Sequence, residues 1–557
     1  MKYIIGVSIL FLRIVYLTAV RENFQPPNIV IIYADDLGWN DVSFHGSPQI
    51  KTPNLDALAA SGIILNAYYG EYMCTPSRAA LMTGKYPMRL GLQHYIIAAG
   101  EASALPLNVM TMPEHFRKLG YATHMVGKWH LGYMKRNYTP IYRGFDTFFG
   151  YYNGFIDYYD YETFETMTYM KQFIGVDLHN GTTLIKNLRG EYATHLFTRT
   201  ATDIIYNHDT SKPLFLYLAE ISPHIGNSYD PLQAPLEIIE KFSYIKHEPR
   251  RIHAAKVSAM DDSVGNIFKA LYEKRILENS IIIFASDNGG ETDPNRYGYS
   301  SNYPLRGRKM TSFEGGVRVP ALIWSPLLSL KEHRTSTQLM HVTDWLPTLY
   351  AAAGGDVNDL GAIDGRNMWD ALIQNSESPR HVLLHILDPI FGMSALRIGD
   401  LKLINGTIYD KLDGRYGPTG FEDVHPGSMD EWIFRDGSVV ETILKRIGLW
   451  LPKSPDTWRL NATINCNGNL PTESEVCDPS KAPCLFNITN DACEYYNLAT
   501  EYPEVVKMMM EVIYSYQTVA EPPQTKPRDP RSHPLCHGFG YVEWLEPEYI
   551  SNCSYRS

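Results

Sequence analysis

The sequence predicts an α/β layer fold with a mostly parallel sheet, followed by a smaller, disulfide-stapled C-terminal α+β domain. Three observations carry this. Strand-like and helix-like segments alternate through the first two thirds of the chain, as stacked βαβ units do. Six of the seven cysteines (Cys466, Cys477, Cys484, Cys493, Cys536 and Cys553) lie after residue 465. The 557 residues are 44 % hydrophobic, enough for a large core divided among two or three domains. We place a main domain at residues 26–400 and the smaller one at 401–557.

The elements follow in order. Asn28 to Tyr33 is a short β-branched run and reads as a strand. Thr52-Pro53 opens a helix with Thr as N-cap and Pro in the first turn, and Gly62 ends it. Thr111 to Leu119 reads as a helix stopped by Gly120, with a strand from Tyr121 to Val126. Glu191 to Asn207 is a second helix, and Leu214 to Leu218, bounded by Pro213, a third strand. Val257, Met260, Val264, Ile267 and Leu271 step by three and four, the mark of an amphipathic helix. Ser280 to Ala285 is a further strand. Beyond residue 400 come shorter strands, Leu401 to Ile404 and Leu485 to Ile488. A helical stripe follows through Val505, Val506, Met509, Val512, Ile513 and Tyr516, in which Met508-Met509-Met510 reads as core packing.

With 50 Lys plus Arg against 61 Asp plus Glu, the formal net charge is −11, which argues against a non-specific nucleic-acid binder. Met1-Lys2 and the apolar run from Tyr3 to Leu12 match a cleaved secretory signal peptide over residues 1–20, and Arg13 interrupts the run short of the length of a span; an uncleaved anchor is the alternative reading. Six sequons, at Asn137, Asn180, Asn405, Asn461, Asn487 and Asn552, agree with glycosylation in the secretory pathway. In an oxidising lumen six clustered cysteines make disulfides most simply. A zinc cluster is the alternative, and no Cys-x-x-Cys pair supports it.

In open α/β sheets ligands bind beyond the carboxyl ends of the strands. There the chain carries Asp35 and Asp36, then Lys128 and His130, then His224, then Asp287 and Asn288. Asp35, Asp36, Asp287 and Asn288 are oxygen donors, a set that suits Ca²⁺ or Mg²⁺. Cys74, far from any other cysteine, sits at a helix start marked by Pro76, where backbone N–H groups and Arg78 favour an anion. A buried inert thiol and a thiolate nucleophile are the competing readings of Cys74 alone. His224 alone also admits a structural reading. The aromatic stretch Tyr151 to Tyr161 is either a platform for a sugar or aryl group or a packed loop.

Cys74-Thr75-Pro76-Ser77-Arg78 with Leu81, Thr83 and Gly84 resembles the signature of the type I sulfatases. Asp35-Asp36-Leu37-Gly38-Trp39, Gly127-Lys128-Trp129-His130-Leu131-Gly132, Arg143-Gly144-Phe145-Asp146, Ser286-Asp287-Asn288-Gly289-Gly290, Leu305-Arg306-Gly307-Arg308-Lys309 and Glu314-Gly315-Gly316-Val317-Arg318-Val319-Pro320 follow in the family's order. Together they resemble the arylsulfatase B (N-acetylgalactosamine-4-sulfatase) branch. The resemblance spans roughly residues 27–400, is patchy to 480, and returns at Leu485-Phe486-Asn487 and Glu494, Asn497 and Leu498.

It implies an alkaline-phosphatase-like sandwich and a sulfuric ester hydrolase acting on aryl sulfates or sulfated sugars. It further implies oxidation of Cys74 to formylglycine by a formylglycine-generating enzyme, and Ca²⁺ held by Asp35, Asp36, Asp287, Asn288 and residue 74. One hydroxyl of the hydrated aldehyde would attack sulfur and the other would then expel sulfate. His130 would be the base and Arg78 would hold the hydrate. Lys128, Lys309 and His224 would bind the sulfate oxygens, with Lys309 or His224 protonating the leaving oxygen. Between His224 and the branch's Pro231-Leu232-Gln233-x-Pro235 element lie several additional residues, which weakens that carry-over. A lysosomal or secreted location would follow. Competing readings are a phosphatase or phosphodiesterase of the same superfold, against which Cys74 and Asn288 speak, and a non-catalytic binding protein on a sulfatase scaffold.

Overall fold

The computed structural model describes residues 24–166, 172–408, 437–452, 457–466 and 476–550. The signal segment, Asn552 and Cys553 lie outside them. Ten strands form the main sheet: β1 (Asn28–Asp35), β2 (Ile63–Leu65), β3 (Ala122–Lys128), β4 (Thr147–Tyr151), β5 (His179–Asn180), β6 (Thr183–Leu184), β7 (Leu214–Pro223), β8 (Ser280–Ser286), β9 (Ala321–Trp324) and β10 (Arg334–Ser336). Their spatial order is β10-β2-β9-β8-β1-β7-β3-β4-β5-β6. The five central strands β8, β1, β7, β3 and β4 are mutually parallel, with antiparallel pairs toward the edges.

The centre of the sheet is parallel because helices cover both faces, and its strands are correspondingly apolar throughout. On one face Val30, Ile32 and Ala34 of β1 pack under helices α1 (Pro53–Ala60), α3 (Ala193–Asn207) and α4 (Glu248–Glu273). On the other, Ile29, Ile31 and Tyr33 pack under α2 (Cys74–Thr83) and α5 (Trp345–Ala352). The alternation is the period of two expected of a strand buried on both sides. The strands outrun their apolar runs: β1 extends to Asp35, β3 to Lys128 and β7 to Pro223. Backbone pairing carries each strand into polar residues that hydrophobicity cannot mark.

A second, antiparallel sheet contains β11 (Val382–Asp388), β12 (Met393–Ile398), β13 (Leu401–Asn405) and β14 (Cys484–Asn487). One face, through Leu383, Met393, Ile404 and Phe486, packs on Tyr72 and Met73, immediately before Cys74. The other, through Leu384, Leu396 and Leu403, receives Met509 and Ile513 of α6 (Pro503–Gln517). Disulfides join Cys466 to Cys493 and Cys477 to Cys484, and Cys536 is also disulfide-bonded. Among the described residues no helix is long and apolar enough to cross a membrane.

Candidate active site

Register levels the ends of the central strands. Ala34 of β1 lies beside Ser286 of β8, Asp35 beside Pro223 of β7, and Ala219 of β7 beside Gly127 of β3. Asp35, Lys128, His224 and Asp287 therefore reach one rim. Gly127 is required there: its φ is +99° and a Cβ would lie 1.9 Å from the Ala219 carbonyl oxygen. Asp36 turns off β1 at φ 63°, and its N–H donates to Asp287 Oδ1 at 3.1 Å.

Helix α2 brings the nucleophile candidate. Cys74 is its first residue, and Gly84 closes it in the left-handed conformation. Arg78, four residues on, shares the face of Cys74. Its guanidinium meets Asp287 Oδ2 at 2.8 Å and Asp35 Oδ1 at 3.3 Å. The other motif residues support this arrangement. Thr75 Oγ1 donates to the His130 carbonyl (3.1 Å) and accepts from Ile97 N–H (3.2 Å), while Ser77 Oγ and the Tyr33 hydroxyl pair at 3.0 Å.

Ligand atoms of Asp35, Asp36, Cys74 and Asp287 all lie within 4.8 Å of one another. Cys74 Sγ is 3.5 Å from Asp35 Oδ1 and 3.8 Å from Asp36 Oδ1. Lys128 Nζ donates to both Asp35 oxygens at 2.9 and 2.8 Å. Lys309 Nζ is 2.7 Å from Asp36 Oδ1 and 3.4 Å from Cys74 Sγ. Asn288 Nδ2 donates to Asp36 Oδ1 at 2.8 Å, yet its Oδ1 is buried without a partner.

Three carboxylates thus face three fixed cations, Arg78, Lys128 and Lys309. Burial and the neighbouring Asp35 charge push Asp287 up to about 6. Burial also tends to raise Asp36, but Lys309, His224 and Lys128 outweigh it and hold that carboxyl well below its ordinary range. Burial pushes the Cys74 thiol far up, so it stays protonated and is a poor nucleophile as cysteine.

The donors fit a hard divalent cation: carboxylates and an orphaned amide oxygen, with sulfur the one soft atom among them. Replacing that sulfur with oxygen would make the set uniform. With all six charged groups ionised, a divalent cation would also leave the site positive and ready for an anion.

The two histidines are set differently. His130 stands at φ 56°, and its Nε2 must donate to the Ile97 carbonyl at 3.1 Å, which leaves the lone pair on the buried, unpartnered Nδ1. Burial, then Lys128 and Arg78, hold this ring neutral. His224 Nδ1 donates to its neighbour's carbonyl, Ile225 O, at 2.8 Å, which turns Nε2 toward Asp36 Oδ2 at 3.5 Å. Burial pushes His224 down to about 3 against the pull of Asp36. Of the aromatic stretch, Tyr151, Tyr152, Tyr158 and Tyr161 are buried, while Phe155 stacks on His224 with ring centroids 5.8 Å apart.

One residue was not anticipated. Lys256 of α4, fully buried, donates to the His224 carbonyl at 3.3 Å, beside the Tyr158 hydroxyl at 2.8 Å. Its signal was legible: Lys256 lies one turn from Met260 on the stripe that continues to Val264.

Comparison with known proteins agrees with this geometry. A family profile described as Sulfatase matches residues 27–355. Mouse (Mus musculus) arylsulfatase J is 36 % identical over 94 % of this chain and 81 % of its own length. Human (Homo sapiens) N-acetylgalactosamine-6-sulfatase is 33 % identical over 65 % of this chain and 68 % of its own. The crystal structure of Ps i-CgsB in complex with k-i-k-neocarrahexaose superposes with a TM-score of 0.68 at 26 % identity, covering 95 % of this chain and all of that one. These relatives do not single out the arylsulfatase B branch. With the rim of carboxylates and cations around Cys74, they establish that the chain belongs to the sulfatase family.

Proposed function

We propose that the protein hydrolyses sulfate esters carried on sugars, with residue 74 oxidised to formylglycine and Ca²⁺ held by Asp35, Asp36, Asp287 and Asn288. The observation that supports this best is the protonated, buried Cys74 seated among three carboxylates and three fixed cations. When present, the aldehyde hydrate supplies the attacking hydroxyl and the ion stabilises charge on the sulfate oxygens.

The chain's own residues supply the rest. Arg78 fixes Asp287 and presents positive charge at the start of α2. Lys309 lies against residue 74, and Lys128 beside Asp35, so both ammonium groups serve oxygens that gain charge in the transition state. His130 Nδ1 holds a lone pair to receive a proton released beside residue 74. Lys309, kept charged against burial by Asp36 beside it, delivers a proton to the departing sugar oxygen; His224, neutral with its Nε2 lone pair toward Asp36, would do so only once protonated at that nitrogen. N-acetylgalactosamine-6-sulfatase and the structure bound to a neocarrahexaose are named for sugars, which favours a glycan ester. The disulfides and the exposed sequons Asn137, Asn180 and Asn461 favour passage through the secretory pathway to the lysosome or the exterior.

The test is sulfate release, measured by ion chromatography, from p-nitrophenyl sulfate and from 4-O- and 6-O-sulfated N-acetylgalactosamine, using protein made in a secretory host. Release from at least one sugar ester is expected. Turnover of phosphate esters with none of sulfate esters would overturn the assignment.

A further inference from the structure

Beside the catalytic rim lies a cavity of about 490 Å³, within the size range of small-ligand sites. Its walls come from three distant segments: His94 and Tyr95, the Asp293–Met310 loop, and Phe391 in the β11–β12 turn. Two hydrogen bonds place it against the nucleophile's segment. Met310 N–H donates to the Tyr72 carbonyl at 3.0 Å, and Tyr95 N–H donates to the Tyr72 hydroxyl at 2.9 Å. Tyr72 is two residues before Cys74, and Met310 follows Lys309, whose ammonium touches Cys74 Sγ.

The cavity is built rather than incidental. Asp388, fully buried at the end of β11, accepts from the Tyr72 hydroxyl at 3.2 Å, from His94 Nδ1 at 2.9 Å, and from the N–H groups of Ile390 (2.9 Å) and Phe391 (3.2 Å). One carboxylate therefore fixes the aromatic wall, the turn that carries it and the segment before Cys74. In that wall the Phe391 ring lies 4.4 Å from His94 and stands edge-on to Tyr95 at 6.3 Å. Across the cavity Arg308 pairs with Asp293 at 3.4 Å and with Glu291. Arg296 meets Glu291 at 3.5 Å and is 39 % exposed. Arg296 and Asp293 thus present a guanidinium and a carboxylate to the cavity, while Glu291 behind them offsets the charge of Arg296 and of the buried Arg308.

We propose that this cavity binds a second saccharide ring, the unit next to the one that carries the scissile sulfate. This deepens, and rests on, the reading of the site as a glycan sulfatase. A pyranose ring has an apolar C–H face, which an aromatic wall covers, and an edge of hydroxyls that donate and accept at once. Paired guanidinium and carboxylate groups answer both roles. An uncompensated cationic pocket would instead select a second free anion. The enzyme's preferred substrate is then a di- or oligosaccharide, with Phe391 and Arg296 setting that preference.

The test compares kcat/KM for a sulfated N-acetylgalactosamine disaccharide with that for the matching monosaccharide, in the wild type and in Phe391→Ala and Arg296→Gln. Titration calorimetry of the desulfated disaccharide gives a readout independent of turnover. The wild type should prefer the disaccharide at least about tenfold. Each variant should lose most of that preference through KM and weaken product binding in parallel. A wild type indifferent to the second ring, or variants that keep its preference, would overturn the subsite and leave the sulfatase reading intact. Binding of the disaccharide without hydrolysis of any sulfate ester would do the reverse.

Discussion

At the scale of single residues, the site is defined by groups whose surroundings contradict their ordinary behaviour. Cys74 is 1 % exposed, protonated and pressed against two carboxylates, which is a poor setting for a thiolate. The tryptic peptide containing Cys74 is expected to be lighter than its cysteine form by the exchange of H₂S for one oxygen atom, seen by mass spectrometry. An alkylatable thiol in secreted protein would remove the proposed nucleophile. Asn288 Oδ1 is the second such group, a buried acceptor with no donor. An unsatisfied buried polar atom costs about 1–3 kcal/mol, and a bound cation removes that cost. Asn288→Leu removes that acceptor together with the Nδ2 donor to Asp36, and should weaken Ca²⁺ binding by about tenfold or more, read as a smaller Ca²⁺-induced rise in melting temperature than the wild type shows. Equal Ca²⁺ stabilisation in both proteins would exclude Asn288 as a ligand.

At the scale of elements, helix α4 carries an unusual burden. Lys256 is fully buried on its core face, its ammonium donates to a neutral carbonyl, and burial pushes it down to about 7. An unfolded chain holds that proton until about 10.5. Between those values the unfolded state binds more protons, so this group makes stability rise with pH across the window and penalises the fold below it. Lys256→Met should melt above the wild type at pH 6, and the two curves should converge toward pH 10. A variant less stable at pH 6 would mean that the ammonium supports the fold. A fall in kcat alongside the stability gain would show what the lysine does for His224, whose carbonyl it holds.

Elements also show where the sequence was readable. The four strands chosen from apolar runs are neighbours in the sheet, and their following residues meet, because ligands collect at the carboxyl ends of parallel strands. Periodicity located helix α4 but understated it at both ends, since its first turns are charged. Lys256 escaped because a lysine within an apolar stripe reads as a solvated charge. Asp388 escaped because it ends β11, a strand the sequence reading did not mark. Disulfide pairing was not legible at all: spacing does not tell which cysteines the fold brings together.

At the scale of the whole molecule, a buried ionic network joins the two sheets. Glu314, from the main domain, accepts from Lys402 Nζ of β13 at 2.8 Å and from the Tyr69 hydroxyl at 2.8 Å, and its N–H donates to Glu494 at 2.8 Å. Lys402 also meets Glu494 at 3.0 Å, and burial lifts Glu494 to about 7. Glu494 adjoins Cys493, so the Cys466–Cys493 disulfide anchors the same junction. Lys402→Met would leave two carboxylates buried without their shared cation, a loss of about 3–5 kcal/mol. A chemical-denaturation midpoint should fall accordingly. An unchanged midpoint would show that the two carboxylates protonate at little cost.

The burial of Cys74 has a consequence in time. Helix α2 leaves the ribosome early, but the β8 strand that helps enclose it follows about two hundred residues later. At about 5–20 residues per second, that interval is roughly 10–40 s. Any enzyme that oxidises Cys74 has that interval, and the folding that follows, in which to reach it. Once the sheet closes, the side chain is sealed from the very catalyst that would activate it.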